Sequence, residues 1–103
     1  MPTKKALRLM TERNQPTCEV LGCDNPAEEA HHVFYSRKKG HPELDTDENF
    51  QLVCQDCHKY SGKAKAFVNK VLFWQVQCER YGEDRMLTWH NGVNLKVKER
   101  VYV

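Results

Sequence analysis

The chain has 103 residues, five cysteines and a formal net charge of +2. A chain of this size forms one domain with a limited core, so a metal, a disulfide or a partner is expected to help stabilise it. The modest charge excludes a globally basic nucleic-acid binder, and no long apolar run follows the opening MPTKKALRLM, so the chain reads as neither exported nor membrane-spanning, hence cytoplasmic with reduced cysteines.

In residues 4–13, KKALRLMTER, the spacing places Ala6, Leu7 and Met10 on one face of a short packing helix. Thr3 is its expected cap, and Asn14 with Pro16 ends it. From Cys18 to about Tyr60 the composition turns to cysteine, histidine and turn residues, and residues 18–57 hold nine acidic against three basic side chains. Any affinity for nucleic acid must therefore come from local basic clusters and bound metal. Cys18-x4-Cys23 and Cys54-x2-Cys57 form two pairs, each able to present two thiolates to one tetrahedral Zn²⁺ at about 2.3 Å. The 30 residues between the pairs exceed the roughly 15–20 of a simple zinc ribbon, so the staple holds the base of an insert. The plain alternative is reduced core cysteines or a disulfide, which a reducing compartment and the turn residues Gly22, Asp24, Asn25 and Pro26 disfavour. CQDCH, residues 54–58, also fits c-type haem attachment, against which the missing export signal argues.

After Gly62, KAKAFVNKVLFWQVQCERY sets Phe67, Val71, Trp74, Cys78 and Tyr81 on one face of an amphipathic helix that Gly82 closes. On that face Cys78 is expected to be a buried free thiol, and Trp74 and Trp89 are expected to be packing anchors. EDRMLTWH reads as a further helical turn or two, after which Asn91-Gly92 and the alternation of Val93, Leu95 and Val97 favour a turn into a strand. His41 and His90 match no motif position and are expected at the surface. The whole reads as one α+β domain: an N-terminal helical segment (1–17), a zinc-stapled core (18–63), and a C-terminal helix with an extension (64–103).

The insert carries EEAHHVFYSRKK and DENFQLVCQDCH, and here the sequence resembles the HNH endonuclease family, with His31-His32, Asn49 and His58 at the motif positions. Sixteen residues separate His32 from Asn49 and eight separate Asn49 from His58, and the last histidine follows the second cysteine of CxxC as in the zinc-stapled branch of that family. The resemblance spans residues 18 to about 63. It implies a small ββα-metal core with flanking helices, and a metal-dependent endonuclease that hydrolyses DNA to 5′-phosphate and 3′-hydroxyl ends. His31 and His58 would hold one catalytic divalent cation (Mg²⁺, Mn²⁺, Ni²⁺ or Zn²⁺) beside the structural Zn²⁺ of Cys18, Cys23, Cys54 and Cys57. His32 would be the general base, and Asn49 would tie the loop so that a backbone carbonyl sets the His32 tautomer. The chain departs from colicin-type members at Gly62, where those carry a further histidine, which leaves two protein ligands and weaker metal binding.

Arg37, Lys38, Lys59 and Lys63 are the side chains expected on DNA phosphates. No recognition module is evident, so sequence preference is expected to be low or supplied by a partner. ERYGEDRMLTW is similar to tails of small phage-encoded nucleases, which implies phage DNA processing with a packaging or recombination protein. A zinc-stapled module that binds nucleic acid or protein without catalysis is the competing reading. Oligomeric state is open.

Overall fold

A computed structural model describes residues 2–60 and 63–101, with side chains for all of these except 58–60, 63–67 and 94–101. The fold is a small α+β arrangement. Helix α1 (Lys4–Arg13) leads to strand β1 (Glu29–His32), two 3-10 turns (Pro42–Leu44 and Asp47–Asn49) and strand β2 (Phe50–Val53), followed by helices α2 (Gln55–Tyr60), α3 (Lys63–Tyr81) and α4 (Glu83–Val101). Among the described residues no helix is long and apolar enough to cross a membrane.

Helix α1 begins and ends where its caps dictate. The Ala6 N–H donates to Thr3 Oγ1 at 3.2 Å, and Asn14, at φ 51°, turns the chain out of the helix. Its buried face is Ala6 and Leu9 with Met10 packed alongside, whereas Leu7 is 49% exposed. The expected face is corrected for a geometric reason. Residues 6, 9, 10 and 13 follow the i, i+3, i+4, i+7 rule, and Leu7 lies about 100° round the helix from Ala6.

Strands β1 and β2 pair antiparallel, with Ala30 opposite Leu52, His31 opposite Gln51 and His32 opposite Phe50. Side chains alternate along each strand, so the pair has two differently covered faces. On one, Phe50 and Leu52 join Ala6, Leu9 and Ala27 in the core, with Ala30 packed against them. On the other, the Gln51 amide exchanges two hydrogen bonds with Asn69 of α3, at 2.9 and 2.7 Å. Helices on both sides leave every residue of β2 buried.

A buried charge network joins the pieces. Glu19, just after Cys18, accepts from Arg13 at 2.8 Å and Arg80 at 2.6 Å, and from the Leu52 N–H at 3.0 Å. Arg13 also donates to the Asp47 carbonyl at 2.9 Å. The first cysteine loop is thus fastened to α1, β2 and α3 at one carboxylate.

The bounds of α3 match the expected helix, but its register differs. Among its described side chains the buried positions are Phe73 and Gln77, while Val71 is 47% exposed and Trp74, Cys78 and Tyr81 are half-buried. The Phe67 side chain lies outside the described residues. Gln77 is buried because its amide donates to the Asp47 and Glu48 carbonyls, both at 3.2 Å, and its oxygen accepts from Arg80. A buried amide with all partners supplied is invisible to a hydrophobic-periodicity reading. Gly82, at φ 94°, makes the turn into α4, its N–H bonded to the Cys78 carbonyl at 2.9 Å.

The expected turn and strand after His90 do not form, and α4 runs through Asn91-Gly92 to Val101. Met86 and Val93, two helical turns apart, are both buried, so packing outweighs the local turn preference of Asn-Gly. Gly92 is therefore an exposed helix-interior glycine, and a Cβ added there meets nothing within 4 Å. Gly92→Ala is expected to stabilise the fold by about 0.5–1 kcal/mol, read as a higher urea midpoint with an unchanged slope.

Candidate functional site

The four cysteines of the two pairs come together. In the first loop the Cys18 N–H donates to the Asn25 carbonyl at 2.8 Å and the Cys23 N–H to the Val20 carbonyl at 3.0 Å, with Gly22 at φ 81° allowing the turn. The end of β2 delivers Cys54, and the first turn of α2 brings Cys57, whose N–H donates to Cys54 Sγ at 3.5 Å. The Sγ atoms of Cys18, Cys23, Cys54 and Cys57 all lie within 4.8 Å of one another, and those of Cys23 and Cys54 are 3.7 Å apart. Sulfurs tetrahedral about Zn²⁺ at about 2.3 Å sit roughly 3.8 Å apart, so the cluster could hold a structural metal such as zinc. All four are free cysteines. Cys78 is outside the cluster and half-buried, where burial pushes its thiol up.

The electrostatics suit the same role. Burial opposes ionisation of Cys54, but hydrogen bonds from the Cys57 backbone and the Asn25 amide, the latter at 3.7 Å, and from the neighbouring cysteines bring its thiol down to about 7. Burial raises Cys18, and burial together with the adjacent sulfurs raises Cys57. One thiolate is favoured and further ones are resisted, a resistance that a divalent cation at the centre would remove.

Asn49 clasps the loop between the strands. Fully buried, its side-chain oxygen accepts from the Phe34 and Tyr35 N–H groups at 3.0 and 3.1 Å, and its NH₂ donates to the Tyr35 and Leu44 carbonyls, both at 2.9 Å. Its own carbonyl accepts from Val33 at 2.9 Å. Every hydrogen-bonding position of the amide is used on backbone, so the chain leaving His31-His32 is held in one path.

His31 is half-buried opposite Gln51, and His32 lies on the other face of β1, its ring centroid 4.7 Å from that of Phe50. The polar partner at His32 Nε2 is the Asp45 carboxylate, at 2.8 Å. That hydrogen bond, with the nearby charges of His32, Lys5 and Arg37, holds the Asp45 carboxyl below its usual range. Sequence reasoning missed Asp45 and Lys5. Nothing in DTDEN marks a histidine partner, and Lys5 reaches this edge from α1, its Nζ 4.3 Å from the centre of the Phe50 ring.

Arg37 and Lys38 sit exposed in the loop after β1. The backbones of His58 and Lys59 lie in α2 and that of Lys63 begins α3, but their side chains, and with them the expected His31–His58 cation site, lie outside the described residues. Among the described residues the four cysteines form the group of three or more metal-ligating side chains.

His41 is buried and His90 only partly exposed, against the expectation of surface positions. His41 is 7% exposed with Nδ1 2.6 Å from Glu43, and His90 is half-buried with Nδ1 2.9 Å from the Tyr35 hydroxyl. Trp89 packs as expected, edge-on to Phe34 and Tyr35, while its indole N–H donates to the Glu43 carbonyl at 3.0 Å. No protein-family model, curated protein or solved structure matches the chain.

Proposed function

We propose that the protein is a metal-dependent DNA endonuclease of the ββα-metal type, stapled by zinc at its four cysteines. The observation that carries this reading is the order of parts around Asn49. A strand bearing His31-His32, a loop clasped by the Asn49 amide and an antiparallel return strand run through Cys54 and Cys57 into the helix that contains His58. This is the arrangement the family resemblance implies, and the cysteine cluster anchors its end.

Phosphodiester hydrolysis needs a base for the attacking water and a way to neutralise charge on the phosphate and the leaving oxygen. His32 takes the proton from water, and Asp45, 2.8 Å from Nε2, stabilises the imidazolium so formed. His31 and His58 would hold a divalent cation, which would supply charge neutralisation for the phosphate and the leaving oxygen. Arg37 and Lys38 contact flanking phosphates.

Conversion of supercoiled plasmid to nicked or linear forms, with Mg²⁺, Mn²⁺ or Ni²⁺ added, tests the reading. Wild type is expected to cleave, and His32→Ala to lose about 10²–10⁴-fold in rate while keeping its zinc content and circular dichroism spectrum. DNA binding without cleavage under any of these metals would replace the reading with that of a binding module.

A further inference from the structure

We propose that the groove between the chain leaving β1 and helices α3 and α4 holds a single unstacked nucleobase of the bound DNA. Phe34, Tyr35, Trp74 and His90 line a cavity of about 440 Å³, with Lys70 and Gln75 also in its wall. The rings are set edge to face: Phe34 against Trp74 at 5.5 Å, and Trp74 against His90 at 5.6 Å. The Tyr35 hydroxyl, 2.9 Å from His90 Nδ1, fixes the far wall. Aromatic faces that stack a base without regard to its identity, beside cations that meet its phosphate, are how single-stranded nucleic acid is held. Lys70 supplies one cation, and Arg37, Lys38 and Lys39, all exposed, begin two residues after Tyr35.

The position fits as well. Phe34 and Tyr35 are two and three residues beyond His32, within about 11 Å along an extended chain, or roughly three steps of a DNA strand at about 3.4 Å each. This inference rests on the nuclease reading for its choice of DNA. The other occupant the surface would suit is a second copy of the chain, seated on the exposed Val68 and Val71.

The test is fluorescence anisotropy, without added catalytic metal, on labelled duplexes carrying one bulged adenine, one bulged abasic residue or no bulge. Wild type is expected to bind the adenine bulge about 5- to 150-fold more tightly than the abasic one, the range that base–aromatic stacking gives. Val71→Trp, which fills the groove from an exposed position, should erase that preference, and Leu87→Trp, on exposed α4 surface outside it, should keep it. Equal binding of the three duplexes by wild type, or a preference that survives Val71→Trp, overturns the proposal. So does a wild-type dimer in light scattering that Val71→Trp dissociates, if wild type shows no bulge preference. Plasmid cleavage separates the two readings. Cleavage with no bulge preference removes the base site and leaves the nuclease, whereas a preference without cleavage supports the base site and removes the nuclease.

Discussion

Removing zinc with a chelator is expected to unfold the segment from Cys18 to Tyr60 and abolish any cleavage, and Cys54→Ser is expected to do the same. The apolar cluster around the cysteines is small: Cys18, Val53 and Cys54, with Val20, Cys23 and Cys57 at its edge. Most of its members are the four cysteines that could hold the metal, so without metal the cluster is a set of mutually repelling or protonated sulfurs. Structural zinc binds with an apparent free energy of about 10–16 kcal/mol at neutral pH, as large as the roughly 5–15 kcal/mol that separates a typical folded domain from its unfolded chain. The expected readout is one zinc released per chain on chelation, together with loss of the cooperative thermal transition. Thiolates take up protons when the metal leaves, so chelator-driven loss should become easier as pH falls. A melting curve unchanged after complete zinc removal would show that packing and the Glu19 network suffice without the staple.

The legible features were those that a few neighbouring residues decide. Thr3 and Asn14 set the bounds of α1 because a cap is a local hydrogen bond. The cysteine pairs announced their cluster because each knuckle is a short turn, and Asn49 was marked by its spacing from His32 and His58 in the family resemblance. The features that were not legible depend on polar groups that meet through the tertiary fold. Gln51 with Asn69, Gln77 with the Asp47 and Glu48 carbonyls, and Arg13 with Glu19 and Arg80 all lie inside, where a pattern of apolar residues has nothing to report. The rotation of the buried face of α3 follows from this, since Gln77 occupies the place a hydrophobic reading gives to Cys78. Asp45 at His32 belongs to the same class: the partners are thirteen positions apart in the chain, with a 3-10 turn between them. Asn91-Gly92 misled in the opposite way, being a strong local signal overruled by the burial of Met86 and Val93 on one helix face.

The Glu19 network is where such an unread contact should have its largest effect on stability. The side chains of Glu19 and Arg13 are 4% and 1% exposed, and that of Arg80 is 20% exposed, so Glu19→Ala leaves two guanidinium groups facing a site without their shared anion. It also strips the Leu52 N–H of its acceptor. Breaking a buried ion pair by removing one partner costs about 3–5 kcal/mol, and at roughly 4–8 °C per kcal/mol for a domain of this size the melting temperature should fall by roughly 12–40 °C. Glu19→Gln keeps an oxygen for the Leu52 N–H but not the charge, and should fall between wild type and Glu19→Ala. Replacing all three charged residues with methionine removes the uncompensated charge and should recover part of the loss, though not all of it, because Arg13 also supports the Asp47 carbonyl and the Tyr81 hydroxyl. Thermal melts of the three variants decide the matter. A Glu19→Ala protein within about 1 kcal/mol of wild type would mean that these ions behave as an exposed pair, and that the cysteine loop, α1 and α3 are held together by the metal and the apolar core alone.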